Sequence, residues 1–116
     1  LHPVLLARTA AAVEAAAATL AERFGVQARA LALDIGDAAS LDTLRAACPS
    51  PDIIVTNAAG PPPGTLAQWT DAEWDAALAL NFLAPMRLIR AFVPGMAERG
   101  FGRVVNITSN VLRHPM

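Results

Sequence analysis

The sequence contains no tyrosine and no lysine, because all nine of its Lys and Arg residues are arginines. These residues therefore cannot supply a reaction step that needs a phenol or a side-chain amine. The single cysteine, Cys48, excludes an internal disulfide and a zinc site built from cysteines. The two histidines, His2 and His114, lie far apart in the sequence, so we expect no metal site.

The sequence also lacks an excess of either charge, since ten Asp and Glu residues balance nine arginines to a net charge of −1. This balance argues against nucleic acid or an anionic membrane surface as a partner. Hydrophobic residues make up 54% of the chain and many are alanine. No uninterrupted apolar run approaches the roughly 20 residues that span a bilayer. Residues 1–7 lack the pattern of a signal peptide, so we expect a cytoplasmic protein with no membrane partner.

What the 116 residues do contain is a regular alternation of strand and helix patterns. Short apolar or β-branched runs predict strands at residues 3–7, 26–33, 53–56 and 103–108. Helical patterns lie between them at residues 10–24, 40–47 and 71–98. Because parallel strands need crossover connections, this alternation predicts an α/β fold with a doubly wound parallel sheet and helices on both faces.

The longest predicted helix begins after Thr70, which has the spacing of a capping box with Glu73. Apolar residues three or four positions apart predict a stripe that faces the sheet, comprising Leu78, Phe82, Pro85, Ile89, Phe92 and Met96. Other apolar residues lie off this stripe and predict a second buried surface, comprising Leu80, Leu83, Met86 and Val93. Pro85 and Pro94 are expected to bend or segment the helix.

Polar or glycine-containing residues follow every predicted strand, at the edge where open parallel sheets bind ligands. They are Arg8, Asp34, the motif Asn57-Ala58-Ala59-Gly60, and Ser109. Together with Asn81 in the long helix and the Val-Val-Asn-Ile-Thr-Ser run at 104–109, they resemble the short-chain dehydrogenase/reductase family. The resemblance covers essentially the whole chain in the family's order, and it implies a partial NAD(P)-binding Rossmann domain over residues 1–116.

Two of the family's motifs are absent from this sequence, namely the Gly-rich cofactor loop and the Tyr-x-x-x-Lys segment. The resemblance therefore runs from the family's second strand to its fifth. In the family the first strand lies between the second and the fourth. We accordingly expect the strands at 4–7 and 53–56 each to have an unpaired edge, and we expect the sequence to be part of a longer protein.

The resemblance also implies cofactor contacts. Arg8 stands where NAD-preferring members have an acidic residue, and a guanidinium there can pair with the 2′-phosphate, so we expect NADP rather than NAD. Asp34 corresponds to the aspartate that meets the adenine amino group, with Ile35 against the ring. A plain turn aspartate that bonds its own backbone is the alternative for Asp34.

The remaining site residues follow from the same resemblance. In the motif at 57–60, Asn57 is expected to tie neighbouring strands together, and Ala58 is expected to bind the cofactor. Gly60 lets the backbone approach the cofactor ribose. Asn81 corresponds to the asparagine that holds a water of the proton relay at a local irregularity of the helix. Ser109 corresponds to the serine that hydrogen-bonds the substrate carbonyl.

The function implied is NADP(H)-dependent hydride transfer to or from a ketone or secondary alcohol, as in 3-oxoacyl reductases. The alternative is a non-catalytic relative that keeps the fold and acts as a nucleotide-binding or assembly subunit. An unrelated flavodoxin-like module is a third possibility, but it would need a phosphate-binding loop that the sequence does not show. The family also implies a homodimer or homotetramer with the long helix in its interface. The alternative is that other parts of the longer protein cover the second apolar surface of this helix.

Overall fold

A computed structural model describes residues 1–60, 63–65 and 67–109. It contains four strands, β1 (Val4–Ala7), β2 (Arg29–Ala32), β3 (Ile53–Thr56) and β4 (Arg103–Asn106). The α-helices are α1 (Ala10–Phe24), α2 (Ser40–Ala47), α3 (Asp71–Leu78) and α4 (Ala84–Glu98), and a π-helical turn at Ala79–Leu83 joins the last two. The predicted α/β class and the alternation of strand and helix are confirmed.

The strands form two parallel pairs instead of one continuous sheet. β1 pairs with β2 in a register that aligns Val4 with Arg29, and β3 pairs with β4 in a register that aligns Ile53 with Arg103. No hydrogen bond joins the two pairs within the described ranges. The expectation that β1 and β3 each keep an unpaired edge is therefore confirmed, and the two edges line the same gap.

Backbone groups of β1 and β3 point into this gap. The Ala7 carbonyl accepts a hydrogen bond of 3.0 Å from the residue after β2, and the Thr56 carbonyl accepts one of 2.9 Å from the residue after β4. Since successive residues of a strand turn their N–H and C=O groups to opposite sides, the preceding residues, Leu6 and Val55, direct theirs into the gap. Each edge thus offers donors and acceptors for another strand.

The core lies on one face of the strands. Leu44 of α2, Ile54 of β3, and Phe92 and Met96 of α4 form its buried cluster. α1 buries Val13 and Ala17 outside this cluster. α1 connects β1 to β2, and α2 connects β2 back in the opposite direction towards β3. Because crossovers between parallel strands are right-handed, this reversal places α1 on the opposite face from α2 and α4. The predicted doubly wound arrangement is therefore confirmed.

Two helices end at glycines in the left-handed conformation. Gly25 ends α1 with φ of 63°, and Gly100 follows α4 with φ of 72°. At the second site the Gly100 N–H donates to the Ala97 carbonyl and the Phe101 N–H donates to the Met96 carbonyl, at 3.0 and 3.1 Å. This pattern is a Schellman motif, which turns the chain sharply from α4 into β4.

Three strands are shorter than their sequence patterns predicted. β1 begins at Val4 rather than residue 3, β2 covers Arg29–Ala32 rather than residues 26–33, and β4 ends at Asn106 rather than residue 108. Both pairs contain four residue pairs. Each strand is therefore as long as its one described neighbour, because the length of a strand depends on hydrogen bonds from a partner as well as on its own residues.

The faces of the long helix differ from the prediction. Leu78 and Phe82, predicted to face the sheet, are 51% and 64% exposed, whereas Val93, predicted to lie off that stripe, packs against the core. The π-helical turn at Ala79–Leu83 is the reason. Its extra residue per turn shifts Leu78 and Phe82 relative to the later residues of α4, so they do not share the face of Ile89 and Phe92.

The two prolines of this segment behave differently. Pro85 is the second residue of α4, which directly follows the π-helical turn, and because it has no N–H it cannot donate to the carbonyls of that turn. Pro94 lies inside α4, which continues through it. The predicted segmentation is therefore confirmed near Pro85, at the π-helical turn. Pro94 does not segment α4, and a bend at Pro94 stays a prediction.

The helical segment Asp71–Glu98 spans 28 residues, with a mean hydropathy of 1.5 over its most apolar 18-residue window. By length and composition alone this segment is long and apolar enough to cross a membrane. This property was not predicted from the sequence, because polar residues interrupt the apolar run. In the structure Phe92 and Met96 pack it against the strands. Those residues therefore have a protein partner, while most of the window is not buried by the described residues.

A substitution at Gly102, where the chain enters β4, tests the packing of β4 against Met96 of α4. A Cβ at Gly102 would lie 2.5 Å from the Met96 Cβ, so Gly102→Ala should lower the free energy of unfolding of the full-length protein by about 1–3 kcal/mol. Gly95→Ala, inside α4, is the control, because its Cβ would meet only the flexible Arg99 side chain and should add up to about 1 kcal/mol. Denaturant unfolding measures both; equal effects would contradict the close approach of β4 to α4.

Candidate functional site

The predicted site residues follow the carboxyl ends of the strands. Arg8 follows β1 directly, Asp34 lies two residues beyond β2, and Asn57 follows β3 directly. Ser109 lies three residues beyond β4 and is exposed. Within each parallel pair these ends lie side by side, so Arg8 is near the Asp34 turn and Asn57 is near the segment that leads to Ser109.

One cavity brings residues of three elements together. Its volume is about 230 Å³, and Arg8, Gly60 and Asn81 lie on its wall. The other lining residues are Ala59, Glu73, Ala76, Ala77 and Leu80. The small side chains of α3 leave the space open, and the three predicted residues surround it from the end of β1, the loop after β3 and the π-helical turn.

A larger cleft of about 370 Å³ adjoins this cavity, and Leu80 lines both. This cleft is the gap between β1 and β3, lined by residues of both strands and of α1 and α4. Three predicted residues, Ile35, Asn57 and Ala58, lie on its wall. Asp34 and Ser109 line neither space, so the structure brings six of the eight predicted residues to two joined spaces.

The Arg8 guanidinium is available for a ligand. Arg8 is exposed, and its side chain forms no hydrogen bond or ion pair with any residue that the structure describes. An arginine with five free N–H donors beside a cavity can bind a phosphate through two parallel hydrogen bonds.

The Asp34 side chain is already partly engaged. Its Oδ1 accepts a hydrogen bond of 2.9 Å from the Gly36 N–H, which is the turn role considered as an alternative. Its Oδ2 has no hydrogen-bond partner among the described residues, so the carboxylate can still accept a bond from an adenine amino group. Ile35 packs against the core cluster as well as lining the cleft, which holds the turn in place.

The bond expected from Asn57 is made by its neighbour. The Thr56 hydroxyl donates to the Asn106 Oδ1 at 2.7 Å, and this bond links β3 to β4. Asn57 is exposed, and its side chain has no hydrogen bond to the described part of the chain. The prediction of a strand-tying Asn57 is therefore not met within these residues. Alternation explains the difference, because Thr56 and its register partner Asn106 lie on one face of the strand pair, whereas Asn57 follows Thr56 and faces the opposite side.

Asn81 lies in the π-helical turn. Its Nδ2 donates to the Ala77 carbonyl at 3.0 Å, and because a carbonyl can only accept, the amide nitrogen must be the bonded atom. The Oδ1 has no partner in the described ranges, and the residue lines the smaller cavity. The side chain is thus fixed to the helix by its donor and leaves its acceptor oxygen for a water or a ligand.

Two residues at this edge were not predicted as site residues from the sequence. Arg87 of α4 donates to the Gly36 carbonyl, and its signal is a lone arginine within the apolar run 86–89. Glu73 completes the predicted capping box, and its Oε2 accepts from the Thr70 N–H at 2.7 Å and the Thr70 hydroxyl at 2.9 Å. These two hydrogen bonds, the backbone one first, lower the pKa of Glu73 below its ordinary value. Its negative charge therefore stays on the wall of the smaller cavity.

Comparison with known proteins identifies the family of this chain. The family profile described as short chain dehydrogenase matches residues 1–116. A 3-oxoacyl-[acyl-carrier-protein] reductase of Vibrio harveyi is 31% identical over 102 residues, covering 84% of this chain and 42% of the relative. A fatty acyl-CoA reductase of Mycobacterium tuberculosis is 34% identical over 93 residues, covering 73% and 31%. The matched residues span less than half the length of each of these relatives.

Solved structures are similar over nearly the whole chain. L-Sorbose reductase from Gluconobacter frateurii, complexed with NADPH and L-sorbose, has a TM-score of 0.88 and 32% identity, covering 99% of this chain and 45% of that chain. A short-chain dehydrogenase from Sphingobium yanoikuyae in complex with NADPH has a TM-score of 0.87 and 31% identity, covering 98% and 46%.

Proposed function

The chain belongs to the short-chain dehydrogenase family, and on that premise we propose that it is the central part of an NADP(H)-dependent oxidoreductase. Its substrate is a small ketone or the corresponding secondary alcohol, as in the 3-oxoacyl reductases it resembles. The observation that carries this proposal is the unpaired guanidinium of Arg8, which shares one cavity with Gly60 and Asn81.

Arg8 supports the choice of NADP. A carboxylate at the end of β1 would repel a 2′-phosphate, whereas the Arg8 guanidinium attracts it and can bind two of its oxygens. The similar structures from Gluconobacter frateurii and Sphingobium yanoikuyae are complexes with NADPH, which favours the same choice here. Asp34 accepts from the adenine amino group through Oδ2, beside Ile35, and the backbone at Ala58 and Gly60 approaches the ribose.

The bound cofactor supplies or accepts the hydride, and the chain's own residues prepare the carbonyl. Ser109 donates its hydroxyl hydrogen to the carbonyl oxygen, which draws electron density from the carbon that takes up the hydride. Asn81 holds a water through its free Oδ1 on the route by which a proton reaches the site. The proton donor itself is not a Tyr or Lys of this chain, which has neither.

The gap between β1 and β3 takes a further parallel strand of the same protein. Two unpaired edges face each other across it, and its lining is mostly apolar, with Val4, Leu6 and Val55 among the lining residues. A strand placed there satisfies both edges and buries those side chains. The relatives, more than twice as long as this chain, have the residues to supply it.

Replacing Arg8 tests the cofactor assignment. In the full-length protein, Arg8→Asp should lower the ratio of kcat/KM for NADPH to kcat/KM for NADH by about 10- to 100-fold, the size of a lost charge-assisted bond to phosphate. Arg45→Asp makes the same charge change on the exposed side of α2 and should leave the ratio unaltered. Initial-rate kinetics with both cofactors measures this ratio. If Arg8→Asp leaves the ratio at the wild-type value, Arg8 does not contribute to the choice of cofactor.

We further propose that the protein is a homodimer or homotetramer that buries the long helix. Four large apolar residues at four-residue intervals are exposed along α3, the π-helical turn and α4, and we name them the exposed stripe: Trp74, Leu78, Phe82 and Met86. An unbroken apolar stripe of this length needs a partner surface. A second copy supplies one by an isologous contact, in which each stripe packs on the other.

Charge placed in the stripe should prevent assembly. Met86→Glu in the full-length protein buries an unpaired carboxylate in the proposed contact, so sedimentation should find monomers. Phe24→Glu puts the same charge on an exposed apolar residue of α1, away from the stripe, and should leave the mass unchanged. A monomeric wild-type protein, or a Met86→Glu variant that keeps the wild-type mass, would sink the proposal.

A further inference from the structure

Arg87 links α4 to the turn that follows β2. Its Nη1 donates to the Gly36 carbonyl oxygen at 3.4 Å, across 51 positions of sequence, and the bond is partly buried. No other side-chain hydrogen bond in the described ranges joins α4 to this turn. The contact therefore fixes the turn to the helix that carries the core residues Phe92 and Met96.

Gly36 is held from two sides. Its N–H donates to Asp34 Oδ1 at 2.9 Å, while its carbonyl accepts from Arg87. The turn is closed by a third bond, from the Asp37 N–H to the Asp34 carbonyl at 3.1 Å. The orientation of the Asp34 carboxylate thus depends on a peptide segment that Arg87 anchors, although Arg87 itself does not bond Asp34.

The chemistry of Arg87 suits this task. The side chain is half-buried on α4 beside the core residue Leu88, and its methylene groups can cover apolar surface while the guanidinium reaches the turn. A leucine or methionine would pack similarly but would leave the Gly36 carbonyl without its donor. The arginine therefore adds a directed bond to the turn beyond packing.

We propose that Arg87 is a positioning residue for the adenine half of the cofactor. By anchoring Gly36 it keeps the Asp34 carboxylate in the orientation that receives the adenine amino group. The proposal rests on the proposed function, in which Asp34 binds adenine. Because NADPH and NADH carry the same adenine, Arg87 supports the binding of both equally, unlike Arg8, which distinguishes them.

The test compares Arg87→Met with wild type in the full-length protein. The dissociation constants of NADPH and NADH, followed by quenching of tryptophan fluorescence, should both rise by about 3- to 10-fold, with their ratio unchanged. The kcat at saturating cofactor should stay within about twofold, because the turn is not at the reacting atoms. Arg87→Lys, which restores a donor, should recover part of the affinity, and Arg90→Met, an exposed arginine on the same helix, should change nothing.

The outcomes separate this inference from the proposed function. Wild-type protein that binds neither nucleotide overturns both. Wild-type binding that Arg87→Met leaves unaltered overturns the role of Arg87 alone. A kcat that falls in proportion to affinity, with no recovery in Arg87→Lys, means that the variant has damaged the fold generally, and this also overturns a specific positioning role.

Discussion

The N–H and C=O groups that Leu6 and Val55 direct into the gap between β1 and β3 need partners once water is excluded from it. The site depends on how this need is met. Arg8 follows β1 and Asn57 follows β3, so the spacing of the two strands sets the spacing of the residues assigned to the cofactor. A strand hydrogen-bonded on both sides would hold that spacing, and the same strand would bury the apolar lining of the gap.

Elements whose ends depend on local residues could be predicted closely from the sequence. α1 ends before Gly25, as its pattern indicated, because a left-handed glycine acts within a few residues. α2 covers Ser40–Ala47, which is also the predicted range. The strands were less predictable, since β2 and β4 extend only as far as their partners bond them. The length of a paired strand depends on two segments that are distant in the sequence, so it cannot be predicted from the residues of one strand alone.

The long helix shows a second limit. The prediction of its apolar face assumed one continuous α-helix. In the structure the π-helical turn at Ala79–Leu83 turns Leu78 and Phe82 away from the sheet. Of the candidate site, the positions after the strands and Asn81 could be predicted, because motif and topology locate them. The hydrogen bond from Arg87 to Gly36 could not be predicted, because it joins residues 51 positions apart and no local sequence pattern identifies its acceptor.

Amide hydrogen exchange at the gap tests the account most directly. In the full-length protein the amides of Leu6 and Val55 should exchange as slowly as that of Ile54, which lies in the same strand as Val55 but faces β4. Slow exchange at both positions means that a strand fills the gap and that this chain is the centre of one continuous sheet. Rapid exchange at Leu6 and Val55, with Ile54 still protected, would contradict that arrangement.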